Sequence, residues 1–294
     1  MPLRSRYPEL KQSLPDLAER IYPVLIMAGR YSKLLRKKAQ YKQKVFEEKD
    51  PLCKVRNTTF LADFAMERFI TSRLVKICPN IPILSEENQK INLGHQNVGE
   101  IFFCLDPLDG SYCFANNNDN YSIQLALIVG GKPVLGFSHF PLINKTYIGG
   151  EGIPSHTIIG NVRNNLPVFP TNQDNDLTAF ISNASSNEQE IKDFLKKLNV
   201  IQYRKARGSP NIASVLDEKC DIFPIFHTNF EWDVAAYDAV IQNAGTLGKF
   251  HLLSIDGQPI QYGKSQQENA FRNKEVIATV NPYLFKMIRE RGSG

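Results

Sequence analysis

Carboxylate groups stand at three places where apolar stretches of the sequence end or a helix is predicted to begin. The acidic segments are Ser85-Glu-Glu87, Asp106-Pro-Leu-Asp-Gly-Ser111 and Trp232-Asp-Val-Ala-Ala236. Hard divalent cations such as Mg²⁺ need several oxygen ligands, and they prefer carboxylates, carbonyls, water and phosphate oxygens. The side chains of Asp106 and Asp109 can converge with the carbonyl of Leu108 across the proline-containing bend. These segments therefore indicate a site for Mg²⁺ and a phosphate-bearing ligand.

Each acidic segment also has a purely structural interpretation. A Ser-Glu-Glu segment is usually a solvated turn, and Asp-Pro-x-Asp-Gly is often only a turn. Trp-Asp before alanines is commonly the start of a helix with an N-terminal carboxylate. Gly110 and Ser111 open a short predicted helix, where their backbone N–H groups could contact a phosphate. The occurrence of all three segments in one chain, in this order, favours a site.

In this order the segments resemble the inositol monophosphatase superfamily, a group of Mg²⁺-dependent, lithium-sensitive phosphatases. The resemblance spans about residues 28–248, and within the superfamily it is strongest to bacterial 3'(2'),5'-bisphosphate nucleotidases. It rests on Ile83-Leu-Ser-Glu-Glu87, Asp106-Pro-Leu-Asp-Gly-Ser111, Ser122-Ile-Gln-Leu-Ala-Leu-Ile128, Gly131-Lys-Pro-Val-Leu-Gly136 and Glu231-Trp-Asp-Val-Ala-Ala236. It implies an α/β fold, a layered α/β/α/β/α sandwich of the sugar-phosphatase type, with the site where two halves meet.

The resemblance also implies the metal ligands. Glu86, Asp106 and the Leu108 carbonyl would bind one ion. Asp106, Asp109 and Asp233 would bind a second ion, and a weaker third ion would lie near Glu86. Two or three Mg²⁺ ions are therefore expected as cofactors.

The same resemblance implies the catalytic roles. Glu86 and Ser111 would act together as the general base through a hydrogen bond between them, and Asp63 would help to orient water near the metals. The expected substrate contacts are Glu86, Leu108, Asp109, Gly110, Ser111 and Asp233. A phosphate monoester dianion repels a hydroxide nucleophile, so two cations would neutralise it, activate water and stabilise the leaving alkoxide.

The expected function is removal of the 3'-phosphate from adenosine 3',5'-bisphosphate, a by-product of sulfur assimilation. Two alternatives stay open: a phosphatase for inositol phosphates or other small phosphorylated sugars and alcohols, and a metal-binding regulatory homologue without turnover. Departures from the family pattern keep them open. Arg30 replaces a glutamate, Asn211 replaces a lysine in Gly208-Ser-Pro-Asn211, and Ser111 replaces the usual threonine.

Composition restricts the partners of the chain. The 294 residues carry a formal net charge of +5, with 22% charged and 42% hydrophobic residues, as in a soluble globular enzyme. This charge suits a small phosphorylated substrate and is too dispersed for binding a nucleic-acid polymer. The basic cluster of residues 30–44 is interpreted as a solvated helix face, with a phosphate-attracting rim or peripheral membrane contact as alternatives. A homodimer is a further expectation from the resemblance.

Other residue patterns argue against alternative chemistry. Five cysteines without a C-x-x-C pair predict buried free thiols in a reducing compartment, and no apolar leader precedes them, so a cytoplasmic location is expected. The five histidines lack zinc-binding spacing, and the sequence contains neither a phosphate-binding P-loop nor a G-x-S-x-G elbow.

Hydrophobic periodicity predicts the elements that position the acidic segments. A long helix over residues 10–45, with a possible break at Pro23, precedes a helix over 63–76 and strands over 81–84 and 101–105. An antiparallel meander follows over 121–148, and the polar segment 156–176 is interpreted as a boundary. The predicted halves are residues 1–160, which carry most of the metal ligands, and residues 161–294, an α/β half that carries Asp233. Its strands are predicted over residues 178–181, 200–203, 221–226 and 276–279, and its helices over residues 188–198, 212–216, 233–243 and 282–289.

Overall fold

The computed structural model describes residues 10, 13–46, 54–87, 98–116, 118–166, 176–182, 187–206, 211–244, 250–263 and 271–291. Buried apolar side chains in these residues form large clusters, each between a sheet and a layer of helices. Helices and sheets therefore alternate through the molecule, with helical layers on both outer sides and one in the middle. This confirms the predicted α/β/α/β/α sandwich.

The first sheet is built from consecutive segments of the chain. The elements of this half are α1 (Leu14–Phe46), α2 (Lys54–Ile77), β1 (Ile83–Ser85), β2 (Ile101–Asp109), α3 (Ser111–Ala115), β3 (Ser122–Val129), β4 (Lys132–Phe140), β5 (Lys145–Gly150), β6 (Ile153–Ile159) and β7 (Val162–Asn165). The strands lie side by side in chain order, parallel between β1 and β2 and antiparallel elsewhere. Gly130 and Gly131, with φ of 57° and 75°, form the tight turn between β3 and β4.

The second half of the chain forms a smaller mixed sheet. Its elements are β8 (Thr178–Ser182), α4 (Glu188–Lys196), β9 (Gln202–Ala206), α5 (Asn211–Leu216), β10 (Ile222–Ile225), β11 (Asn229–Phe230), α6 (Glu231–Gln242), β12 (Leu253–Ser254), β13 (Arg272–Asn273), β14 (Val276–Thr279) and α7 (Pro282–Arg291). The strand order is β12-β14-β10-β8-β9, whereas β11 pairs with β13 alone. The helices predicted in this half are confirmed, with ends shifted by one or two residues.

The two faces of the first sheet pack against different helices. Ile101, Phe103 and Leu105 of β2 lie in one cluster with side chains of α1 and α2. The alternate residues Phe102 and Cys104 lie in another cluster with α5 and α6. This is the period-two alternation of a strand that is buried on both sides. The second sheet packs its other face against α4 and α7.

Helix α1 is continuous through Pro23, where the sequence indicated a possible break. Leu17, Ile21 and Leu25 recur four residues apart and are buried, whereas Pro23 is exposed. The backbone carbonyl that loses its N–H partner to the proline can therefore be solvated on this exposed side. Burial of the opposite face compensates for the missing hydrogen bond.

Helix α6 lies very close to strands β4 and β5. A Cβ atom added at Gly136 would lie 2.3 Å from the carbonyl oxygen of Ala236, and one at Gly149 would lie 2.8 Å from Cα of Val240. Glycine is needed at both positions, because any larger residue would push the helix away from the sheet. This contact determines where the first turn of α6, which contains Asp233, meets the first sheet.

The first sheet extends further along the chain than the sequence predicted. Part of the polar segment 156–176 forms the end of β6 and all of β7. The side chains of β7 are exposed on both faces, so this edge strand lacks the hydrophobic alternation that identifies strands in a sequence. Residues 167–175 lie outside the described part of the chain, and the division at residue 160 stays a prediction.

Two further expectations concern thiols and membranes. Cys78, Cys104, Cys113 and Cys220 are buried free thiols, as predicted, whereas Cys53 lies outside the described residues. Among the helices that the structure describes, we find none whose length and hydrophobicity suffice to span a bilayer.

Candidate active site

Glu86 directly follows β1, and Asp106 lies within the adjacent parallel strand β2. Ser85 of β1 lies opposite Leu105 of β2, so the residues that come next, Glu86 and Asp106, lie at neighbouring positions of the two segments. Asp106 is buried, with 3% of its surface exposed, and Glu86 is half-buried. Two carboxylates from separate sequence segments are thus brought side by side.

A β-bulge in β2 brings Asp109 to the same face as Asp106. Asp106 lies opposite Gln124 of β3 and Asp109 lies opposite Ser122, so a three-residue step along β2 matches a two-residue step along β3. Directly opposed residues point to the same face, and Gln124 and Ser122 share one face because they are two residues apart. The bulge, which contains Pro107, is therefore the reason that two aspartates three residues apart converge.

Hydrogen bonds orient both aspartates of the bulged segment. The amide of Leu108 donates to Asp106 Oδ1 at 2.9 Å, and the hydroxyl of Ser122 donates to Asp109 Oδ2 at 2.9 Å. The side-chain amide of Gln124 makes a longer contact of 3.4 Å with the same Asp109 oxygen. The protein therefore orients these carboxylates through its own donors.

Asp233 lies in the first turn of α6. Its Oδ2 accepts a hydrogen bond from the amide of Phe230 at 2.7 Å. A carboxylate in this position also interacts favourably with the helix dipole. Helix α6 packs closely against Gly136 and Gly149. Its first turn therefore lies beside the part of β2 that carries Asp106.

The carboxylates form one electrostatic cluster. Burial raises the pKa of Asp106 well above its ordinary value, and the charges of Glu86, Asp109 and Asp233 raise it further. The hydrogen bond from Leu108 lowers this pKa but does not offset the other effects. A buried carboxylate surrounded by like charges is costly unless a cation neutralises it. The oxygen donors and their charge therefore fit a hard divalent cation such as Mg²⁺.

The spatial arrangement of these side chains is a separate observation from their charge interactions. Within the residues that the structure describes, no group of three or more histidine, cysteine, aspartate or glutamate side chains is arranged to hold a metal. Asp106, Asp109 and Asp233 each direct one oxygen at a protein donor. The metal-ligand assignment stays a prediction.

The hydroxyl of Ser111 has a different acceptor from the predicted one. Its Oγ lies 3.1 Å from Asp63 Oδ1 and 3.1 Å from the carbonyl oxygen of Leu108. Asp63 is a buried residue of α2. It accepts the hydrogen bond of the Ser111 hydroxyl, for which the sequence predicted Glu86 as the partner. Ser111 is thus linked to the residue predicted to orient water.

Gly110 allows the chain to turn directly from β2 into α3. Its φ of 84° lies in the left-handed region, which residues with a Cβ atom rarely adopt. The turn places Ser111 two residues after Asp109, next to the carboxylate cluster. Contact between the Gly110 amide and a substrate phosphate stays a prediction.

Sequence reasoning missed polar residues that support the predicted ligands. Glu67, buried on α2, accepts a hydrogen bond from the hydroxyl of Ser85 at 3.0 Å. The side-chain amide of Gln124 donates to the hydroxyl of Tyr237 at 3.2 Å, so that a buried network runs from Asp109 to α6. A single polar residue inside an apolar strand, as at Gln124, is the signal that could have identified this network.

Three further residues named in the sequence comparison, Glu231, Arg30 and Asn211, are not placed at the carboxylate cluster by the described contacts. Glu231 is fully buried, and it accepts a hydrogen bond from the amide of Gly263 at 2.7 Å, which is a structural contact. Arg30 lines a cavity with His139 on the opposite face of the first sheet from Asp106. Residues 208–210 and the side chain of Asn211 lie outside the described part of the chain.

Known proteins resemble this chain in sequence and in fold. The model of the inositol monophosphatase family matches residues 18–289. The 3'(2'),5'-bisphosphate nucleotidase CysQ of Aggregatibacter actinomycetemcomitans is 28% identical over 207 residues, which cover 70% of this chain and 75% of the relative. CysQ of Escherichia coli is 30% identical over 201 residues, covering 68% and 78%. The crystal structure of CysQ from Bacteroides thetaiotaomicron has a TM-score of 0.64 at 22% identity and covers 90% of this chain and 97% of that one.

The family match covers both sheets and all the predicted site residues, from Asp63 to Asp233. The similarity to bisphosphate nucleotidases that the acidic segments indicated is also confirmed. The chain therefore belongs to the inositol monophosphatase family and is an enzyme of the phosphomonoester hydrolase class.

Proposed function

We propose that the chain is a Mg²⁺-dependent 3'(2'),5'-bisphosphate nucleotidase that hydrolyses adenosine 3',5'-bisphosphate to AMP and phosphate. The observation that supports this most directly is the raised pKa of Asp106, because Glu86, Asp109 and Asp233 must lie close to it to have this effect. Cation-assisted hydrolysis of a phosphate ester uses a site of this charge. Relatives named bisphosphate nucleotidase support the choice of substrate.

The residues predicted from the sequence would hold the cations as follows. Glu86, Asp106 and the Leu108 carbonyl would bind one Mg²⁺, and Asp109 and Asp233 would share a second with Asp106. A weaker third ion would lie near Glu86. When bound, these ions neutralise the phosphate charge, lower the pKa of a water molecule and stabilise the leaving oxygen.

The side chains around the cluster would orient the reactants. Ser111, whose hydroxyl oxygen is 3.1 Å from Asp63 Oδ1, would orient the attacking water. Glu86 would accept a proton from that water. The amides of Gly110 and Ser111 would contact the phosphate oxygens. The bonds that Asp109 and Asp106 accept from Ser122 and Leu108 would limit their motion during turnover.

The setting of the reaction is part of the proposal. The buried free thiols of Cys78, Cys104, Cys113 and Cys220 favour a reducing compartment, so we place the enzyme in the cytoplasm. The relatives' names favour a nucleotide bisphosphate as the substrate, and a role in removing a by-product of sulfur assimilation is an expectation from the family resemblance. Inhibition by Li⁺ and assembly into a homodimer are further expectations from the family resemblance.

Phosphate release from adenosine 3',5'-bisphosphate and from inositol 1-phosphate tests the proposal. We expect a higher kcat/KM for the bisphosphate, no release in EDTA, and inhibition by Li⁺. Asp233→Asn should abolish release, whereas Asp193→Asn, which alters an exposed acid on α4, should not. A preference for inositol 1-phosphate would support the alternative function, and no release of phosphate from either substrate would contradict both.

Asn211→Lys separates the two substrate classes further. If the nucleotidase interpretation is correct, the added charge should improve kcat/KM for the bisphosphate and leave inositol 1-phosphate almost unchanged. Measuring both substrates at two salt concentrations separates a direct contact from long-range attraction. An equal gain for both substrates would argue against a specific contact with a second phosphate.

A further inference from the structure

A polar cavity lies between α1 and the turns at the ends of β4 and β6. Its volume is about 250 Å³, and the polar residues that line it include Arg30, Lys33, His139, Asn144 and Asn161. His139 lies opposite Ile123 of β3, a residue of the cluster packed against α1 and α2. The cavity is therefore on the opposite face of the first sheet from the carboxylates.

The charge of the cavity is positive. Arg30 and Lys33 lie one helical turn apart on α1, and no aspartate or glutamate is among the described residues that line the cavity. The ammonium group of Lys33 donates to the carbonyl of Pro141 at 3.0 Å. Arg30 is exposed and makes no hydrogen bond or ion pair with the described residues. Its guanidinium group, with five N–H donors, is available to a ligand.

The floor of the cavity is built from packed, hydrogen-bonded groups. His139 Nδ1 lies 2.9 Å from the hydroxyl of Thr146, and the Tyr22 hydroxyl also interacts with Thr146. A Cβ atom added at Gly29 would lie 2.3 Å from His139 Nε2, so the imidazole packs directly against α1. Burial, with a smaller effect from Lys33, lowers the pKa of His139 to about 4, so the ring is neutral at physiological pH.

The opposite wall is formed by two turns that are joined to each other. The amide of Gly160 donates to the carbonyl of Asn144 at 3.0 Å, which links the turn after β4 to the turn after β6. Asn144 has a φ of 47°, and the side-chain amides of Asn144 and Asn161 make no hydrogen bond with described residues. Amide donors therefore face the cations across a cavity of defined shape.

From these groups we propose that the cavity binds a small tetrahedral oxyanion, phosphate or sulfate. Arg30 and Lys33 supply the charge, and the side chains of Asn144 and Asn161 supply hydrogen-bond donors. A cavity of about 250 Å³ admits an ion of this size with a few water molecules. The site is separate from the carboxylate cluster, and it does not depend on the proposed substrate of the enzyme.

Isothermal titration with inorganic phosphate and with sulfate, in EDTA and at constant ionic strength, tests this site. EDTA removes divalent cations, so binding at the carboxylate cluster is suppressed. We expect saturable binding to the wild-type chain and a loss of affinity of about tenfold or more in Arg30→Glu. Lys37→Glu is the matched control, because Lys37 is exposed on the same helix without lining the cavity. It should bind both anions nearly as the wild type does.

A second variant and a spectroscopic measurement locate the anion. Asn161→Asp adds a negative charge to the opposite wall at an exposed turn, and it should also weaken binding. The ring signals of His139 should shift on titration in the wild type and stay unchanged in Arg30→Glu. The turnover rate at a saturating substrate concentration should be the same in Arg30→Glu, Lys37→Glu and Asn161→Asp. The absence of saturable binding, or equal losses in Arg30→Glu and Lys37→Glu, would overturn the proposal.

Discussion

The buried carboxylates Asp106 and Asp238 differ in what surrounds them. Asp238 lies on α6, where its oxygens accept hydrogen bonds from the amide of Leu252 and the hydroxyl of Tyr262, each at 2.9 Å. Asp106 is similarly buried and accepts a hydrogen bond from Leu108. Its other electrostatic neighbours are carboxylates, which raise its pKa.

The difference separates a structural acid from a candidate catalytic one. Burial raises the pKa of Asp238 to about 6, while donors from the protein partly oppose the shift. The burial that raises this pKa and the hydrogen bonds that lower it are both supplied by the folded chain itself. At Asp106 burial and like charges act in the same direction, so that only a cation or a proton can relieve the cost. A buried acid without enough donors is therefore the mark of a binding site in this molecule.

Asp109→Asn should have the largest effect on activity. The amide can still accept the hydrogen bond from Ser122, so the fold should be preserved. Loss of the charge would weaken a cation site and reduce kcat by about 10³-fold or more, since such electrostatic stabilisation supplies several kcal/mol. Phosphate release at saturating Mg²⁺ and circular dichroism measure the two properties. Near-normal turnover would remove Asp109 from the ligand set.

Asp238→Asn is the structural counterpart and should affect stability alone. The pKa of Asp238 rises from 3.8 to about 6 on folding, so the folded state binds more protons than the unfolded state between these values. Stability of the wild type therefore falls as pH rises through this window. The variant lacks this component, which amounts to about 3 kcal/mol.

Urea unfolding of the wild type and of Asp238→Asn between pH 4 and pH 6.5 measures that component. We expect the variant to gain stability relative to the wild type as pH rises, with little change in kcat. The asparagine can accept from Leu252 and donate to the oxygen of Tyr262, which keeps the packing. A large loss of kcat would mean that the structural and catalytic acids are not separate.

The acidic cluster could be predicted from the sequence because its parts have local signals. Asp106 follows a clear apolar stretch, and Asp233 precedes alanines that only a helix would place together. Hydrophobic periodicity indicated the alternation of strands and helices, whereas the layered sandwich was implied by the family resemblance. The bulge at Pro107 could not be predicted, because a register shift depends on the partner strand, and the sequence shows only one strand at a time.

Supporting residues were missed for a related reason. Glu67 looks like an ordinary solvated helix residue, and only the packing of α2 against β1 buries it beside Ser85. The Ser111 hydroxyl was assigned to Glu86, whereas the approach of α2 to α3 brings Asp63 to it. The strand β7 was missed because its side chains are exposed. Tertiary contacts decide each of these cases.

Ser111→Ala should have a moderate effect and tests the link to Asp63. Removal of the hydroxyl should lower kcat by about 10²-fold, the usual contribution of a group that orients proton transfer. Apparent Mg²⁺ affinity should change little, because the hydroxyl carries no charge. Ser111→Thr keeps the hydroxyl and should be tolerated. A weakened Mg²⁺ affinity in Ser111→Ala would mean that Ser111 supports the ligands rather than the water.

Among these variants, Asp106→Asn should give the smallest free-energy change, which is a change in the free energy of unfolding. It also tests most directly whether Asp106 differs from the structural acid Asp238. Without divalent cations, the wild type keeps a buried carboxylate among like charges, and its raised pKa means that stability falls as pH rises above the ordinary range for aspartate. The neutral amide removes this repulsion. We therefore expect the metal-free variant to be more stable than the metal-free wild type at pH 7, by about 1 kcal/mol or more.

Addition of Mg²⁺ should reverse this order, because a cation that binds only the folded state stabilises the wild type in proportion to its occupancy. The variant, which lacks the charge at the centre of the cluster, should gain little. Thermal unfolding in EDTA and in Mg²⁺ measures both changes, and Asp238→Asn serves as a control whose response to Mg²⁺ should match the wild type. If Asp106→Asn were less stable than the wild type in EDTA, the charge of Asp106 would already be compensated by the fold. Asp106 would then belong with Asp238 as a structural acid.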